Sequence, residues 1–484
     1  MNSIKKQTIK AFSWDFFGRL FSQSSTFIVS IFLARLLNPE DFGLIAMAMA
    51  FIHIGGVFID IGFSAALIQN KENSDLTYNT VFIFNIVAGM CLTCIVYLAS
   101  DYIGAFYDDE QVALLVKWLS LFFIFNSFNR VQNAILTREL NFKALTIRMF
   151  IASSLGGALG VIAAYNTYGV FSLVIQILTT AVLSTILLWS ISKWKPKLQF
   201  SYHELKKLFG FSVFAFLERV MNNVFLRLDV LLLAKIFNPV AVGFYTRAST
   251  LQVQATKYSS SSIIRVLFPV LSKYQDQPTE FRRIYLKMFE IISFLSFGLT
   301  GLLFILGSDI IISLFGEKWS PSIPIFQILI LASATIPLNS LMWNAVMSQG
   351  KSKENFYLGL LKKIISLIPF LIAIKYNILY FTIAWVSAKY IATSLNMLLV
   401  YKISEVSIKF QILSLIKTST PLVIGIVLFY FADLQNIGTR IASAIIFCVL
   451  YIVFAAILKN QGFMYIQNTI KEMRNSFNKS ASIE

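Results

Sequence analysis

Residues 33–43 read L-A-R-L-L-N-P-E-D-F-G, and residues 233–243 read L-A-K-I-F-N-P-V-A-V-G. The second copy lies 200 positions after the first. Leu33, Ala34, Asn38, Pro39 and Gly43 recur as Leu233, Ala234, Asn238, Pro239 and Gly243, and Arg35 becomes Lys235. The same offset relates Phe16 and Arg19 to Phe216 and Arg219, and Leu67 to Leu267. Each copy joins two long apolar stretches. Proline suits the first turn of a helix, where its missing N–H would be unpaired anyway, and the asparagine before it is a natural N-cap. The motif therefore reads as a tight structural turn between helices, not as a binding site. A chain that restates its first helical hairpin halfway along is expected to be built from two similar lobes.

Composition sets the solvent. Of 484 residues 57% are hydrophobic, 13% are charged and 46 are Phe, more apolar surface than a soluble chain of this length can bury. Apolar runs of about 20 residues, each long enough to cross a bilayer, recur along the chain. Fourteen spans are expected, near 12–37, 42–67, 80–103, 113–136, 145–165, 169–190, 208–236, 242–270, 286–314, 323–348, 357–375, 378–401, 412–431 and 440–458. The expected fold is all-α: a six-helix lobe over 1–200, its repeat over 201–410, two added spans over 411–460 and a cytoplasmic amphipathic tail over 461–484. In that tail Phe463, Ile466, Ile470, Met473 and Phe477 stand at helical spacing. Two pseudo-symmetric lobes around a central cavity are the architecture of carriers. The start, M-N-S-I-K-K-Q-T-I-K, lacks a signal-peptide cleavage pattern.

The net charge of +17 follows from topology and not from nucleic-acid binding. With the N-terminus inside, alternate connections are rich in lysine and arginine, Lys362 and Lys363 among them. The opposite connections hold only Arg35, Lys117, Lys235, Lys318, Lys375 and Arg440. This bias places both termini in the cytoplasm. Ser201-x-x-Glu204 is a capping box able to open a short surface helix in the longest connection, 191–207, the natural hinge between lobes. Cys91 and Cys94 sit in an apolar run and read as packing residues. Gly156-x-x-x-Gly160 reads as close helix packing. No metal-site spacing or cofactor motif occurs, so neither is expected.

Charges within spans are costly and mark cavities or partners. Arg19, Gln23, Thr26 and Ser30 form one stripe on the first span, and His53, Asp60 and Ser64 one on the second. The seventh span carries Arg219, Asn223 and Arg227, and the eighth Arg247, Gln254, Tyr258, Ser261 and Arg265, with Lys257 to one side. These four helices are repeat equivalents, and a lumen lined by them follows. Arg19, Arg219, Arg227, Arg247, Lys257 and Arg265 are its candidate anion-binding residues. Asp60, Glu218, Asp229 and His53 are candidates for charge balance or ion coupling. Bland readings stand beside these: Arg19 can pair with Asp15, Arg265 can snorkel to the cytoplasmic surface, and His53 can be a packed histidine. Arg130 and Lys389 receive no role. A net positive lumen favours an anion, and arginine suits phosphate.

Four stretches carry a resemblance: 33–44 (L-A-R-L-L-N-P-E-D-F-G-L), 60–72 (D-I-G-F-S-A-A-L-I-Q-N-K-E), 265–276 (R-V-L-F-P-V-L-S-K-Y-Q-D) and 315–319 (F-G-E-K-W). Over nearly its whole length the chain resembles the polysaccharide exporters of the multidrug/oligosaccharidyl-lipid/polysaccharide superfamily, in particular the colanic-acid-exporter (WzxC-like) branch of the lipid-linked oligosaccharide flippases. The resemblance implies lobes that rock between inward- and outward-open states in a bacterial inner membrane. It implies a substrate of undecaprenyl pyrophosphate carrying a sugar repeat unit. The last two spans resemble the added pair of lipid II flippases, which form a lipid-tail groove. The partners expected are this lipid-linked oligosaccharide, membrane lipid, and the polymerase and glycosyltransferases of the same pathway, with the chain itself a monomer and not an enzyme. A multidrug exporter of the same fold would need carboxylates in the lumen. A polymerase or ligase would need a sizeable outer loop.

Overall fold

The computed structural model describes the backbone over 2–70, 72–431, 437–468 and 471–472, and the side chains there except at 2–13, 15–17, 19, 209–215, 257–266, 430–431 and 437. The described residues form helices and no strand. Contacts divide the chain into two compact units, Met1–Thr246 and Arg247–Glu484.

The first unit holds α1 (Asn2–Leu36), α2 (Pro39–Gly55), α3 (Phe63–Gln69), α4 (Asp75–Tyr107), α5 (Glu110–Ser127), α6 (Arg130–Arg138), α7 (Phe142–Tyr165), α8 (Phe171–Ile191), α9 (Tyr202–Ile236) and the start of α10 (Pro239–Lys273). The second holds the rest of α10, then α11 (Pro278–Ile305), α12 (Gly307–Phe315), α13 (Ser322–Ala332), α14 (Ile336–Ser348), α15 (Ser352–Ile365), α16 (Ile368–Ala373), α17 (Ile378–Ser404), α18 (Ile408–Phe431) and α19 (Ile437–Ile457).

Ten of the expected spans coincide with helices or helix pairs long and apolar enough to cross a bilayer, and an eleventh is the α5–α6 pair, bent by 40°. The three that remain are α1, α9 and α10. Among the described residues of α1 the apolar stretch is Leu20–Leu36. The other two are too polar: α9 carries Glu218, Arg219, Arg227 and Asp229, and α10 carries Arg247. Helices that line a wet or charged path fail a hydropathy test for that reason. Elsewhere the exposed faces are apolar, as with Leu98 and Leu371, each more than 60% exposed.

The repeated motif is where α2 and α10 meet. The Ala241 N–H donates to Asn238 Oδ1 at 2.9 Å, so Asn238 caps α10, and the Asn38 N–H donates to Asp41 Oδ2 at 2.8 Å. Gly43 and Gly243 have a role that the turn reading missed. A Cβ on Gly43 would lie 1.8 Å from the Pro239 carbonyl oxygen, and one on Gly243 would lie 1.9 Å from the Pro39 carbonyl oxygen. Each copy's glycine seats the other copy's proline, a reciprocal contact with the symmetry of the repeat. Gly156 and Gly160 are also close-approach positions, against Thr180 and Gln176 of α8.

Several local expectations are corrected. The second span is not one helix: it breaks into a 3-10 turn at Gly56–Ile59, an extended Asp60 and Gly62 at φ 86° before α3 begins. Paired glycines at 55 and 56, and a left-handed position that favours glycine, explain the break. Ser201 does cap, accepting from the Glu204 N–H at 3.4 Å, but the helix it opens is α9 itself, which runs unbroken to Ile236. The preceding connection is tied to α4. The Lys197 N–H donates to Asn79 Oδ1 (2.9 Å), the Ser201 N–H to Thr80 Oγ1 (3.1 Å) and the Thr77 hydroxyl to Glu204 Oε2 (2.7 Å). Cys91 and Cys94 lie on the exposed face of α4, not in its packing face.

In the second unit α18 and α19 are not an appendage. Leu422, Phe447 and Tyr451 join Phe289, Ile292 and Phe297 of α11 in one core. The Tyr451 hydroxyl donates to the Phe294 carbonyl at 2.8 Å, and Arg440 Nε meets Asp309 Oδ1 at 2.9 Å. The tail helix over 461–468 packs on α11 through Phe463 on Phe294 and Lys287 over Tyr465. Of its expected apolar positions, Ile470, Met473 and Phe477 lie outside the described residues.

Candidate functional site

The breaks in α2 and between α5 and α6 create the site in the first unit. A helix break leaves backbone carbonyls and N–H groups without internal partners, and charged side chains collect there. Asp60 is 2% exposed. Its Oδ1 accepts from the Ser64 N–H at 2.9 Å, which opens α3, and its Oδ2 faces Arg219 Nη1 of α9 at 3.8 Å. Arg130, the first residue of α6, donates from Nη2 to the Gly56 carbonyl at 3.4 Å and lies within electrostatic reach of both Asp60 and Arg219. Phe58 and Phe216 close one side edge-to-face at 5.4 Å. Two guanidiniums thus share one carboxylate. The 3.8 Å separation is an ion contact and not a hydrogen bond, so Asp60 neutralises without immobilising. The surplus charge is positive.

Further along α9 more charged residues follow, on several sides of the helix. Arg227 lies within electrostatic reach of His53 on α2. The Asp229 carboxylate accepts from the buried Tyr245 hydroxyl of α10 at 3.4 Å. Lys235 Nζ meets Asp108 at 2.7 Å at the far end. At 1.5 Å per residue this series of levels spans about 24 Å of helix. His53 and Asp60 both face α9, although the 3-10 turn at Gly56–Ile59 and the extended Asp60 interrupt the continuous helix on which they were expected. They act at different levels along α9.

The other sequence-derived candidates fall as follows. Glu218 is exposed on α9. Arg247 is 7% exposed in the second unit, with its guanidinium 5.1 Å from the Phe315 ring and 5.4 Å from the Trp319 ring. There it is a cation–π partner of the F-G-E-K-W segment, presented to aromatic faces and not to open space. The side chains of Arg19, Lys257 and Arg265 lie outside the described residues.

Sequence reasoning missed Arg130. Its signal was present: Asn129 and Arg130 interrupt an apolar run, and an asparagine before a new helical register marks a break. It also missed polar groups buried around the same breaks. Both amide atoms of Asn85 and the Asn129 Oδ1 are buried without a hydrogen-bond partner among the described residues. Buried amides left this way are costly and take water or ligand.

With this geometry in view, comparison with known proteins is informative. Over 347 residues the chain is 26% identical to lipopolysaccharide biosynthesis protein WzxC of Escherichia coli (strain K12), covering 70% of each chain. Its fold matches lipid II flippase MurJ in an inward closed conformation with a TM-score of 0.73 at 15% identity, covering 92% of this chain and 98% of that one. It also matches a multidrug resistance MATE family transporter of the MOP superfamily, inward-facing, with a TM-score of 0.64 at 14% identity, over 80% of this chain and 95% of the other. The family model described as polysaccharide biosynthesis protein matches residues 32–324, more than half of the sequence, and the chain therefore belongs to that family.

Proposed function

We propose that this chain is an inner-membrane flippase that exports undecaprenyl-pyrophosphate-linked oligosaccharide repeat units for exopolysaccharide, capsule or O-antigen assembly. The observation that carries the reading is the Asp60–Arg130–Arg219 cluster: two arginines on one buried carboxylate, at a double helix break in the membrane. The surplus guanidinium offers planar, bidentate hydrogen bonding to phosphate oxygens. Asp60 lies about 30 Å along the chain from Pro39 at 1.5 Å per residue. With Pro39 at the outer surface, the cluster sits in the cytoplasmic half, where a lipid-linked precursor made inside would load. The headgroup would then pass along the α9 levels while the polyprenyl tail stays in lipid. No covalent step is required of the protein.

Reconstitution tests this. Vesicles holding the purified chain should transfer undecaprenyl pyrophosphate bearing a labelled oligosaccharide between leaflets, and protein-free vesicles should not. Transfer of cationic dyes with no transfer of the lipid-linked glycan would instead favour the multidrug reading of the same fold.

Orientation follows from the charge bias. Both termini are proposed to be cytoplasmic. Reporter fusions after Asp108 and after Lys197 are expected to score outside and inside respectively. The same score at both positions would break the topology.

The α18–α19 pair is proposed as a platform for the lipid tail, and its removal would not isolate that role. Deleting 411–460 would uncover Phe289, Ile292 and Phe297 of α11 and leave Asp309 without Arg440, so a folding defect would mask any export defect.

A further inference from the structure

Lys362 was expected in a cytoplasmic connection. The structure places it at the midpoint of the 22-residue span Ser352–Ala373, about 15 Å from the end of that span at 1.5 Å per residue. The half-buried ammonium heads a directional hydrogen-bond chain. Lys362 Nζ donates to Asn396 Oδ1 (2.9 Å), Asn396 Nδ2 to Asn339 Oδ1 (2.6 Å), Asn339 Nδ2 to Thr393 Oγ1 (2.9 Å), and the Thr393 hydroxyl to the Lys389 carbonyl (2.8 Å). The chain joins α15, α17 and α14, the last two being the helices most closely packed on α15.

The charges around it are all of one sign at this depth. The α14 segment, I-P-L-N-S-L-M-W-N-A-V-M-S, has no ionisable residue. The α17 segment carries Lys389, seated over Trp385 at 4.2 Å, and Lys402, but no carboxylate. On α15 itself stand Lys353, Lys363 and Glu354, the last two turns away toward the helix start. Glu405, just beyond α17, is held by Arg282. An ammonium ten residues into a membrane-length span here has neutral hydrogen-bond partners where a counter-ion would normally stand.

We propose that Lys362 is an intramembrane proton-exchange site, and that its loading and unloading, transmitted through Asn396, Asn339 and Thr393, couples proton entry to the transport cycle. The coupling half of this rests on the exporter reading; the exchange half does not. The chemistry is a single proton transfer. The ammonium releases H⁺ to water on the cytoplasmic side and becomes a neutral amine with its lone pair free; water on the outer side returns one H⁺ in the other state. The network tolerates both forms, because the far end is a backbone carbonyl that only accepts. Every member must therefore donate down the chain; a neutral amine still donates to Asn396, but that bond weakens once it is no longer charge-assisted, and this change in strength is what the chain passes on. Lysine suits this duty and arginine does not, since arginine keeps its charge in proteins.

Two measurements on the full chain in phosphatidylethanolamine–phosphatidylglycerol vesicles test it, with Lys362→Arg as the variant that keeps charge and donors. Amide hydrogen exchange of 352–365 and 389–396, corrected for the intrinsic pH dependence of exchange, should change as the pH is raised from neutral toward the ordinary lysine range in the native protein and stay constant in Lys362→Arg. Transfer of undecaprenyl pyrophosphate bearing a labelled oligosaccharide should be accelerated at least about fivefold by an outside-acidic gradient in the native protein, and not in Lys362→Arg, which should keep its gradient-free rate. Lys362→Gln should behave as Lys362→Arg toward the gradient; if it fails to fold, the arginine variant decides alone. Equal pH response in native and Lys362→Arg proteins, or a native protein indifferent to pH in the exchange measurement, overturns the proton site. Native transfer that ignores the gradient overturns the coupling. If the native protein transfers no lipid under any gradient, the exporter reading fails for that probe, and the exchange measurement still decides the site.

Discussion

Replacing Gly43 by alanine should sharply lower the yield and the thermal midpoint of the folded protein. The added methyl would lie 1.8 Å from the Pro239 carbonyl oxygen, a backbone atom that no side-chain rotation can move. The two helix starts must separate by more than 1 Å or the turn must distort. Overpacking of this kind costs typically about 1–3 kcal/mol, occasionally more. In lipid, where close packing is a main source of helix association, little else would compensate. Gly243→Ala should do the same, because its methyl would lie 1.9 Å from the Pro39 carbonyl oxygen. The double variant should cost less than the sum of the two, since once the helices part both methyls are accommodated. Gly359→Ala is the control: it stands in α15 with nothing within 4 Å of its added methyl and should be neutral or slightly stabilising. Detergent-solubilised yield and thermal midpoint, measured for all four, decide the matter. A Gly43→Ala protein as stable as the control would mean that the reciprocal contact is not held in the native membrane.

The repeat was legible because both its parts are local. Asn before Pro announces a capped helix start in any context, and a constant offset needs no structure to be seen. That the glycine closing each motif serves the other motif could not be read, because the contacts join residues 196 and 204 positions apart. The charged spans were read as four stripes around one lumen. On α9, Arg219, Arg227, Asp229 and Lys235 each have a charged or polar neighbour outside that helix, while Glu218 is exposed. The arithmetic of 100° per residue assumes an unbroken helix, and Gly55, Gly56 and Gly62 break the one that carries His53 and Asp60. Arg130 was passed over because it belongs to a span outside the four repeat helices, and only the bend at Asn129 brings it to Asp60. Arg247 illustrates the converse. It was read as part of a polar stripe facing a lumen, but the aromatic residues that receive it are 68 and 72 positions later, in a segment recognised only as a signature. Lys362 was counted with the inner connection although it falls inside the expected span 357–375; the observed span, Ser352–Ala373, puts it ten residues from the helix start.

Arg219→Ala should impair export far more than Arg219→Lys, at matched protein abundance. If the guanidinium binds a phosphate, the lost charge-assisted contact of about 1.5–3 kcal/mol corresponds to roughly ten- to hundredfold in apparent affinity. Lysine keeps the charge but not the planar fork, so Arg219→Lys should fall between. The competing effect is stability. Removing Arg219 leaves Asp60, 2% exposed, with Arg130 as its remaining cation, and breaking a buried pair costs up to about 3–5 kcal/mol. Here the cost should be much smaller, because Arg219 is 40% exposed at its side chain and 3.8 Å from the carboxylate, and Arg130 stays. The pair Asp60→Asn and Asp60→Asn/Arg219→Ala separates the two effects. If Arg219 only balances Asp60, the asparagine substitution should restore both abundance and export to the Arg219→Ala protein. If Arg219 meets the headgroup, abundance should recover while export stays down by tenfold or more. Arg130→Ala in the same background should deepen the loss, since it removes the second guanidinium of the cluster. Normal export by Asp60→Asn/Arg219→Ala would assign the cluster to packing alone and move the headgroup site elsewhere along α9, to the level of Arg227 and His53.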